Sequence, residues 1–308
     1  KIGIALLIFI GMIFVLFCMV LIMPSEEYET VNYDIPNMRD YYTHIKGNGE
    51  DKVTLMVYMV GSDLESDGGA ASEDIAEMTA ANADNINITL QTGGAAAWEN
   101  ASISDGKTER HIIKNGELQN VENLGEAQMT SPNMLTDFIK WSASNYPADR
   151  YELVLWNHGG GTALGFGYDE MYPDDMLSLS QIGNALSDGI KFDIVGFDAC
   201  LMGTIETAYM LEPYADYLVA SEEYEPGTGW YYSEWLKNLS DNMSMPTVEI
   251  GKKIVEDYIN GPDSSFFDSN TLSIVDLREI PYTYSKLCEI MQQEEGVLDS
   301  RYSVISQA

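Results

Sequence analysis

The sequence predicts an α/β protein with a largely parallel β-sheet covered by helices on both faces. From Lys52 onward, short apolar runs alternate with longer helical patterns, and this alternation is typical of βαβ units. The apolar runs have the character of strands that are buried on both sides. The composition is 45% apolar and 21% charged, which is ordinary for a globular protein and excludes wholesale disorder.

The predicted elements follow from these runs. The predicted strands are Val53–Val60, Ile86–Gln91, Tyr151–Asn157, Ile194–Asp198, Tyr217–Ser221 and Leu272–Asp276. The predicted helices are Gly69–Ala80, Ser131–Asn145, Ser180–Ser187, Gly203–Leu211 and Thr247–Ile259. Asn115-Gly116 favours a tight turn, so Arg110–Lys114 and Glu117–Val121 are expected to form a hairpin at an edge of the sheet.

The N-terminal region has a different character. Ile2–Met23 is an uninterrupted uncharged run, and as a helix it would span about 33 Å, enough to cross a membrane. Residues 1–24 are therefore predicted to be a transmembrane anchor; a cleaved signal segment and a buried helix are the alternatives. Lys1 before the run and acids after it place the rest of the chain outside the cytoplasm, anchored or, if cleaved, secreted.

Residues 25–51 are polar and are predicted to be a stalk, followed by one α/β domain over residues 52–308. The first residue is Lys1 and the pattern stops abruptly at Ala308, which suggests a fragment truncated at its C-terminus as well.

The net charge is −33, with 49 acids against 16 Lys and Arg. Phosphate binding needs basic surface, so a nucleic-acid partner is excluded. An acidic surface suits cationic ligands, but simple solvation of the acids is the favoured explanation.

Two neighbouring predicted strands end in residues that can do chemistry. The first leads into His158-Gly159-Gly160-Gly161, and the second ends at Asp198-Ala199-Cys200, just before a predicted helix. In an open α/β sheet, ligands bind beyond the carboxyl ends of the strands. A thiol near a helix N-terminus favours the thiolate, and an imidazole can take its proton. A buried structural cysteine and a structural histidine are the alternatives. Of the other cysteines, Cys18 lies in the apolar run and Cys288 in a helical pattern, so a disulfide scaffold is excluded.

These segments resemble the clostripain family of cysteine peptidases, which belongs with caspases, legumains and gingipains. The resemblance lies in Leu155–Gly161 and Phe197–Gly203, and extends to Val57–Glu65, Gln91–Gly94 and Ser221–Trp230. It implies a caspase-like α/β/α sandwich and an endopeptidase that cuts peptide or protein substrates after Arg or Lys. It also implies a dyad of His158 and Cys200, with the backbone N–H groups of Gly159 and Cys200 as oxyanion donors. No cofactor is required for this chemistry.

The same resemblance places Asp198 at the floor of the pocket for the basic P1 side chain, while capping of the next helix is the ordinary role. A second pocket acid is expected after the next strand, where Glu222 and Glu223 are the candidates; Glu225 is nearby and the register is open. Calcium is associated with some relatives. The acidic loop Asp169–Asp175 offers oxygen ligands for it, or is simply solvated.

One departure and two rivals bear on function. Relatives are commonly activated by self-cleavage at a basic residue after the catalytic histidine, yet no Lys or Arg occurs between Arg150 and Lys191. We therefore expect an active single chain, or cutting elsewhere or by another enzyme. An esterase would need a G-x-S-x-G elbow, and a zinc hydrolase would need clustered ligands; neither is present. The serious alternative is a catalytically silent surface-displayed binding module on the same fold.

Overall fold

The computed structural model describes residues 42–173, 176–261 and 270–293. Within them the strands are β1 (Val53–Val60), β2 (Asn87–Gly93), β3 (Thr108–Lys114), β4 (Glu117–Gly125), β5 (Arg150–Trp156), β6 (Phe192–Asp198), β7 (Ala215–Ala220) and β8 (Ser273–Asp276). The helices are α1 (Ser62–Ser66), α2 (Ala70–Ala80), α3 (Pro132–Asn145), α4 (Gly161–Leu164), α5 (Leu179–Ser187), α6 (Ile205–Leu211), α7 (Tyr232–Asp241), α8 (Thr247–Asn260) and α9 (Ile280–Gln293).

All of these strands belong to one sheet, in the order β4-β3-β2-β1-β5-β6-β7-β8. The five strands from β2 to β7 in that order are mutually parallel. An antiparallel hairpin, β3–β4, forms one edge, and the short antiparallel strand β8 forms the other. The predicted α/β class, the mostly parallel sheet and the edge hairpin are confirmed.

Strand β1 shows why the sheet is covered on both faces. All of its residues are buried. Val57 and Met59 belong to the core cluster that contains residues of α2, α7 and α8, whereas the Tyr58 ring packs on Phe138 of α3. Helix α3 contacts α5, α5 contacts α6, and α6 contacts α9, so these four helices form one layer. The result is a three-layer sandwich with β1 at its centre.

The described part of the predicted stalk, residues 42–51, is bonded to the domain. The Tyr42 hydroxyl donates to Asp276 of β8, and the Thr43 hydroxyl donates to Asp193 of β6. Near its end, Asp51 accepts a hydrogen bond from Ser244 at 2.6 Å. This stretch therefore packs along the amino ends of the central strands, at the opposite edge from the carboxyl ends.

The predicted membrane segment, residues 2–23, lies outside the described residues. Among the helices that the structure describes, none combines the length and the apolar character that a membrane crossing needs. The membrane anchor thus stays a prediction from the sequence.

Candidate active site

The carboxyl ends of β5 and β6 lie side by side at the centre of the sheet. Trp156 pairs with Asp198 in the parallel register, and the Asn157 N–H donates to the Asp198 carbonyl at 3.2 Å. His158 comes two residues after the end of β5, and Cys200 two residues after the end of β6. The structure therefore brings these two predicted catalytic residues to the same edge of the sheet.

Both residues line one cavity of about 240 Å³. Its lining consists of Leu64, Trp156, Asn157, His158, Asp198, Ala199, Cys200, Glu225, Pro226, Gly227 and Gly229. Among these residues there are two carboxylic acids and neither Lys nor Arg. The cavity thus places a thiol, an imidazole and two acids around a single volume that can hold one side chain.

Cys200 lies in a tight turn between β6 and α6. The next residue, Leu201, has φ of 63°, a left-handed conformation that is uncommon for a residue with a branched side chain. Backbone hydrogen bonds hold the turn, because the Leu201 N–H donates to Glu223 at 3.0 Å and the Gly203 N–H donates to Ser221 at 2.6 Å. The Sγ atom accepts a hydrogen bond from the Glu225 N–H at 3.3 Å and lies 3.8 Å from the Glu225 carbonyl oxygen.

The helix after Cys200 starts later than predicted. It begins at Ile205, and the Thr204 side chain caps it by accepting from the Thr207 N–H at 3.1 Å. The prediction of a helix from Gly203 was two residues early, because Thr204 is the better cap. The N-terminus of α6 is therefore capped by Thr204. The hydrogen-bond donor to the Cys200 thiol is instead the backbone N–H of Glu225.

The imidazole of His158 is held by two neighbours. Its Nε2 lies 2.9 Å from Oδ1 of Asp63 in the first turn of α1, and its ring meets the Tyr168 ring edge-on, with centroids 6.2 Å apart. Burial acts to raise the pKa of Asp63, but the hydrogen bond and the charge of His158 outweigh it, so that this pKa is lowered. Asp63 is thus ionised at neutral pH beside the imidazole.

Asn157 connects the segments that surround His158. Its side-chain amide is buried, and Nδ2 donates to the Val60 carbonyl and, at 2.9 Å, to the Ser62 hydroxyl. Its Oδ1 accepts from the Tyr168 N–H. One amide therefore joins the end of β1, the start of α1 and the loop that carries Tyr168.

Gly159 has no space for a side chain. A Cβ atom at this position would lie 2.0 Å from the carbonyl oxygen of Cys200 and 3.0 Å from the Met202 side chain. The backbone after His158 thus lies directly against the backbone of Cys200. Any larger residue would push the two strand ends apart.

The floor of the cavity is acidic. Asp198 is buried and accepts hydrogen bonds from the Trp230 N–H at 3.2 Å and from the Tyr232 hydroxyl at 2.8 Å. Burial raises the pKa of Asp198 to about 6. In the described part of the chain, both carboxylate oxygens of Glu225 are buried without a donor at hydrogen-bonding geometry. Burial, followed by the charge of Asp198, raises the pKa of Glu225.

Glu222 and Glu223, the candidates for a second pocket acid, lie outside the cavity. Both are exposed; the Glu222 carboxylate accepts from the Ser273 hydroxyl, and the Glu223 N–H bonds to Ser221 at 3.0 Å. Glu225, two residues further on, is the acid that lines the cavity. The start of the loop after β7 is hydrogen-bonded to the backbone of Leu201 and Gly203. The loop reaches the cavity only further on, at Glu225.

The acidic loop that was considered for calcium is used in part for other contacts. Asp169 accepts from the Met129 N–H at 2.7 Å and from the Met171 N–H at 2.9 Å. Glu170 accepts from the Ser66 hydroxyl at 2.6 Å and from the Ala96 N–H at 2.9 Å. The described residues contain no group of three or more candidate metal ligands, and residues 174–175 lie outside them. A calcium requirement stays a prediction.

Comparison with known proteins identifies the family of the chain. The clostripain family profile, peptidase family C11, matches residues 57–304. Clostripain from Hathewaya histolytica is 32% identical over 224 residues, covering 61% of this chain and 42% of that protein. The chain thus spans less than half of the length of this relative.

Solved structures share the fold. A secreted C11 cysteine protease from Bacteroides thetaiotaomicron, bound to an irreversible peptide inhibitor, superposes with a TM-score of 0.64 at 22% identity, covering 78% of this chain and 70% of that one. An inactive zymogen C11 protease from Parabacteroides distasonis gives 0.58 at 22% identity, covering 75% and 63%. The match of the family profile over most of the chain is decisive: this chain belongs to the clostripain family of cysteine peptidases.

Proposed function

We propose that the chain is a cysteine endopeptidase that cleaves peptide bonds after Arg or Lys, with Cys200 as nucleophile and His158 as base. The observation that carries this proposal is a pair of acids with buried carboxylates, Asp198 and Glu225, in the same cavity as the thiol. An Arg or Lys side chain that enters the cavity would pair with these carboxylates. Its carbonyl group would then lie beside Cys200.

The proposed reaction uses the residues around the cavity. His158 takes the thiol proton, and the thiolate attacks the carbonyl carbon of the substrate. The oxyanion is stabilised by the N–H groups of Gly159 and Cys200, whose backbones are in close contact. The imidazolium gives its proton to the leaving amine, and a thioester remains. Water that loses a proton to His158 hydrolyses the thioester and restores the thiol.

The buried acids explain how the pocket selects a cation. Without substrate, two carboxylates share a dry volume, so protonation of one of them is favoured. A guanidinium or ammonium group replaces that proton and supplies donors to oxygens of Glu225 that lack them. A neutral P1 side chain would leave these groups unpaired, which costs free energy.

Fluorogenic peptides that differ only at P1 test this function. The full chain is expected to cleave the substrates with Arg and Lys at P1 and to leave the substrate with norleucine uncut. Cys200→Ala is expected to abolish this activity. Cys288→Ala, a change of the other free cysteine in the described residues, is expected to leave activity unchanged. If the wild-type chain cleaves none of these peptides, the binding module without activity becomes the better interpretation.

We also propose that this peptidase is held outside the cytoplasm by residues 2–23. The support is the length of the uncharged run and the charges on either side of it. Extraction of membranes with carbonate should leave the full chain in the pellet. A soluble protein that starts after residue 24 would instead indicate a cleaved signal and secretion.

A further inference from the structure

Asp63 is the one charged group of the described residues that bonds the imidazole of His158. Its Oδ1 lies 2.9 Å from Nε2, and it comes from a different strand end, directly after β1. Since β1 pairs with β5 in parallel, their carboxyl ends lie side by side. The acid that follows β1 therefore lies next to the histidine that follows β5.

This contact has a chemical consequence for the ring. An ionised carboxylate only accepts hydrogen bonds, so a bond to Nε2 requires the proton of a neutral imidazole to be on Nε2. The other ring nitrogen, Nδ1, is then without a proton and can act as the base. If the proton were on Nδ1 instead, the ring could not take a proton there.

The surroundings of Asp63 keep it in place. Ser62, the preceding residue, has φ of 51°, and its hydroxyl receives the Asn157 amide at 2.9 Å. Three residues later, the Ser66 hydroxyl donates to Glu170 at 2.6 Å. The short helix that carries Asp63 is thus fixed at both ends. Such fixed backbone geometry is typical of groups that orient a reacting side chain.

We propose that Asp63 is a positioning residue for the peptidase reaction: it fixes the orientation and the tautomer of His158 so that Nδ1 accepts the thiol proton and the imidazolium that forms is stabilised. The proposal rests on the proposed function, in which His158 is the base. Asp63 itself touches neither the substrate nor the thiol in this role.

The test compares Asp63→Asn and Asp63→Glu with Asp67→Asn in the full chain. Asp67 is an exposed acid at the end of the same helix, so its change removes an equal charge without touching His158. In serine proteases, the matching exchange of a buried aspartate costs about 10⁴ in kcat. Asp63 is half-exposed, so we expect a smaller loss, about 10- to 100-fold, in Asp63→Asn.

Two readouts separate positioning from a general structural effect. With an Arg substrate, Asp63→Asn should lower kcat and leave KM nearly unchanged, because the pocket acids remain. Alkylation of Cys200 by iodoacetamide, followed by peptide mass analysis to separate it from Cys288, should slow by a similar factor. Asp63→Glu, which retains an acceptor, should recover part of both rates, and Asp67→Asn should resemble wild type.

Each outcome decides the question. Full kcat and full alkylation rate in folded Asp63→Asn would overturn the proposal, and so would an equal loss in Asp67→Asn. If Asp63→Asn does not fold, as judged by thermal melting, the kcat of Asp63→Glu relative to Asp67→Asn decides. A wild-type chain that is alkylated quickly at Cys200 but cleaves no peptide would contradict the proposed function, while the alkylation comparison would still test Asp63.

Discussion

Exchange of Glu225 for glutamine is the most informative change at the cavity. The substitution keeps the size of the side chain and removes its charge. In the described residues neither carboxylate oxygen of Glu225 has a hydrogen-bond partner at normal geometry, although the Trp230 and Asp198 side chains are close enough to influence its pKa. Asp198 remains, together with its bonds to Trp230 and Tyr232. The change therefore acts mainly on the electrostatics of the pocket, both directly and through the neighbouring Asp198.

The size of the effect follows from the bond that a cationic side chain would make there. A hydrogen bond to a charged group contributes about 1.5–3 kcal/mol. At about 1.4 kcal/mol per factor of ten, kcat/KM for Arg and Lys substrates should fall by about 10- to 150-fold. The loss stays below the cost of a wholly unpaired buried charge, about 3–5 kcal/mol, because Asp198 still faces the substrate.

The assay is kcat/KM for peptides with Arg, Lys or norleucine at P1. We expect the loss only for the two cationic substrates, so that selectivity over norleucine declines by the same factor. Glu223→Gln serves for comparison, because Glu223 is exposed and lies outside the cavity; it should leave kcat/KM unchanged. An equal loss for all three peptides, or a larger loss in Glu223→Gln, would refute this assignment of the pocket.

Three further predictions concern the glycine, the pH dependence and the processing of the chain. Gly159→Ala should lower activity at least about 100-fold and lower the melting temperature, since its Cβ would clash with Cys200; Gly227→Ala, with nothing within 4 Å, should keep the wild-type melting temperature. Burial raises the pKa of Asp198 to about 6, so its contribution to stability is present at low pH and is lost between about pH 4 and pH 6; urea unfolding should show a smaller loss over this range in Asp198→Asn. Intact-mass analysis of active protein should show no cut between residues 151 and 190, where no Lys or Arg occurs, and a cut there in step with rising activity would contradict both basic specificity and the single-chain form.

Much of the fold could be predicted because the central strands are continuous apolar runs. Val53–Val60 was predicted with the bounds that the structure has, since this run is apolar except for the buried Thr54 and lies between Lys52 and Gly61. Helix α7 was missed. Its buried residues, Tyr232, Trp235, Leu236 and Leu239, have helical spacing, but Asn and Ser between them are weak helix formers. Tertiary packing against α2 and α8 compensates for that weakness.

From the sequence, only the site residues that directly follow a predicted strand could be assigned. His158 and Cys200 follow neighbouring apolar strands, so their meeting follows from topology. The role of Glu225 depends on how a loop turns, and no periodicity in the sequence reports that. Asp63 could have been found by the same rule as His158, because it follows the first buried strand closely. An acid after a strand is common at a sheet edge, and pairing with the histidine becomes visible only when the strand order is known.

The two edges of the sheet also bear on how the protein behaves when it is concentrated. An exposed edge strand offers free backbone groups to a second copy and is a route to aggregation. Here the outer strand β4 exposes Glu117 and Glu122, and the other edge, β8, has only four residues. A net charge of −33 adds repulsion between copies. The wide parallel sheet of this protein thus has edges that are poorly suited to pairing with a strand of another copy.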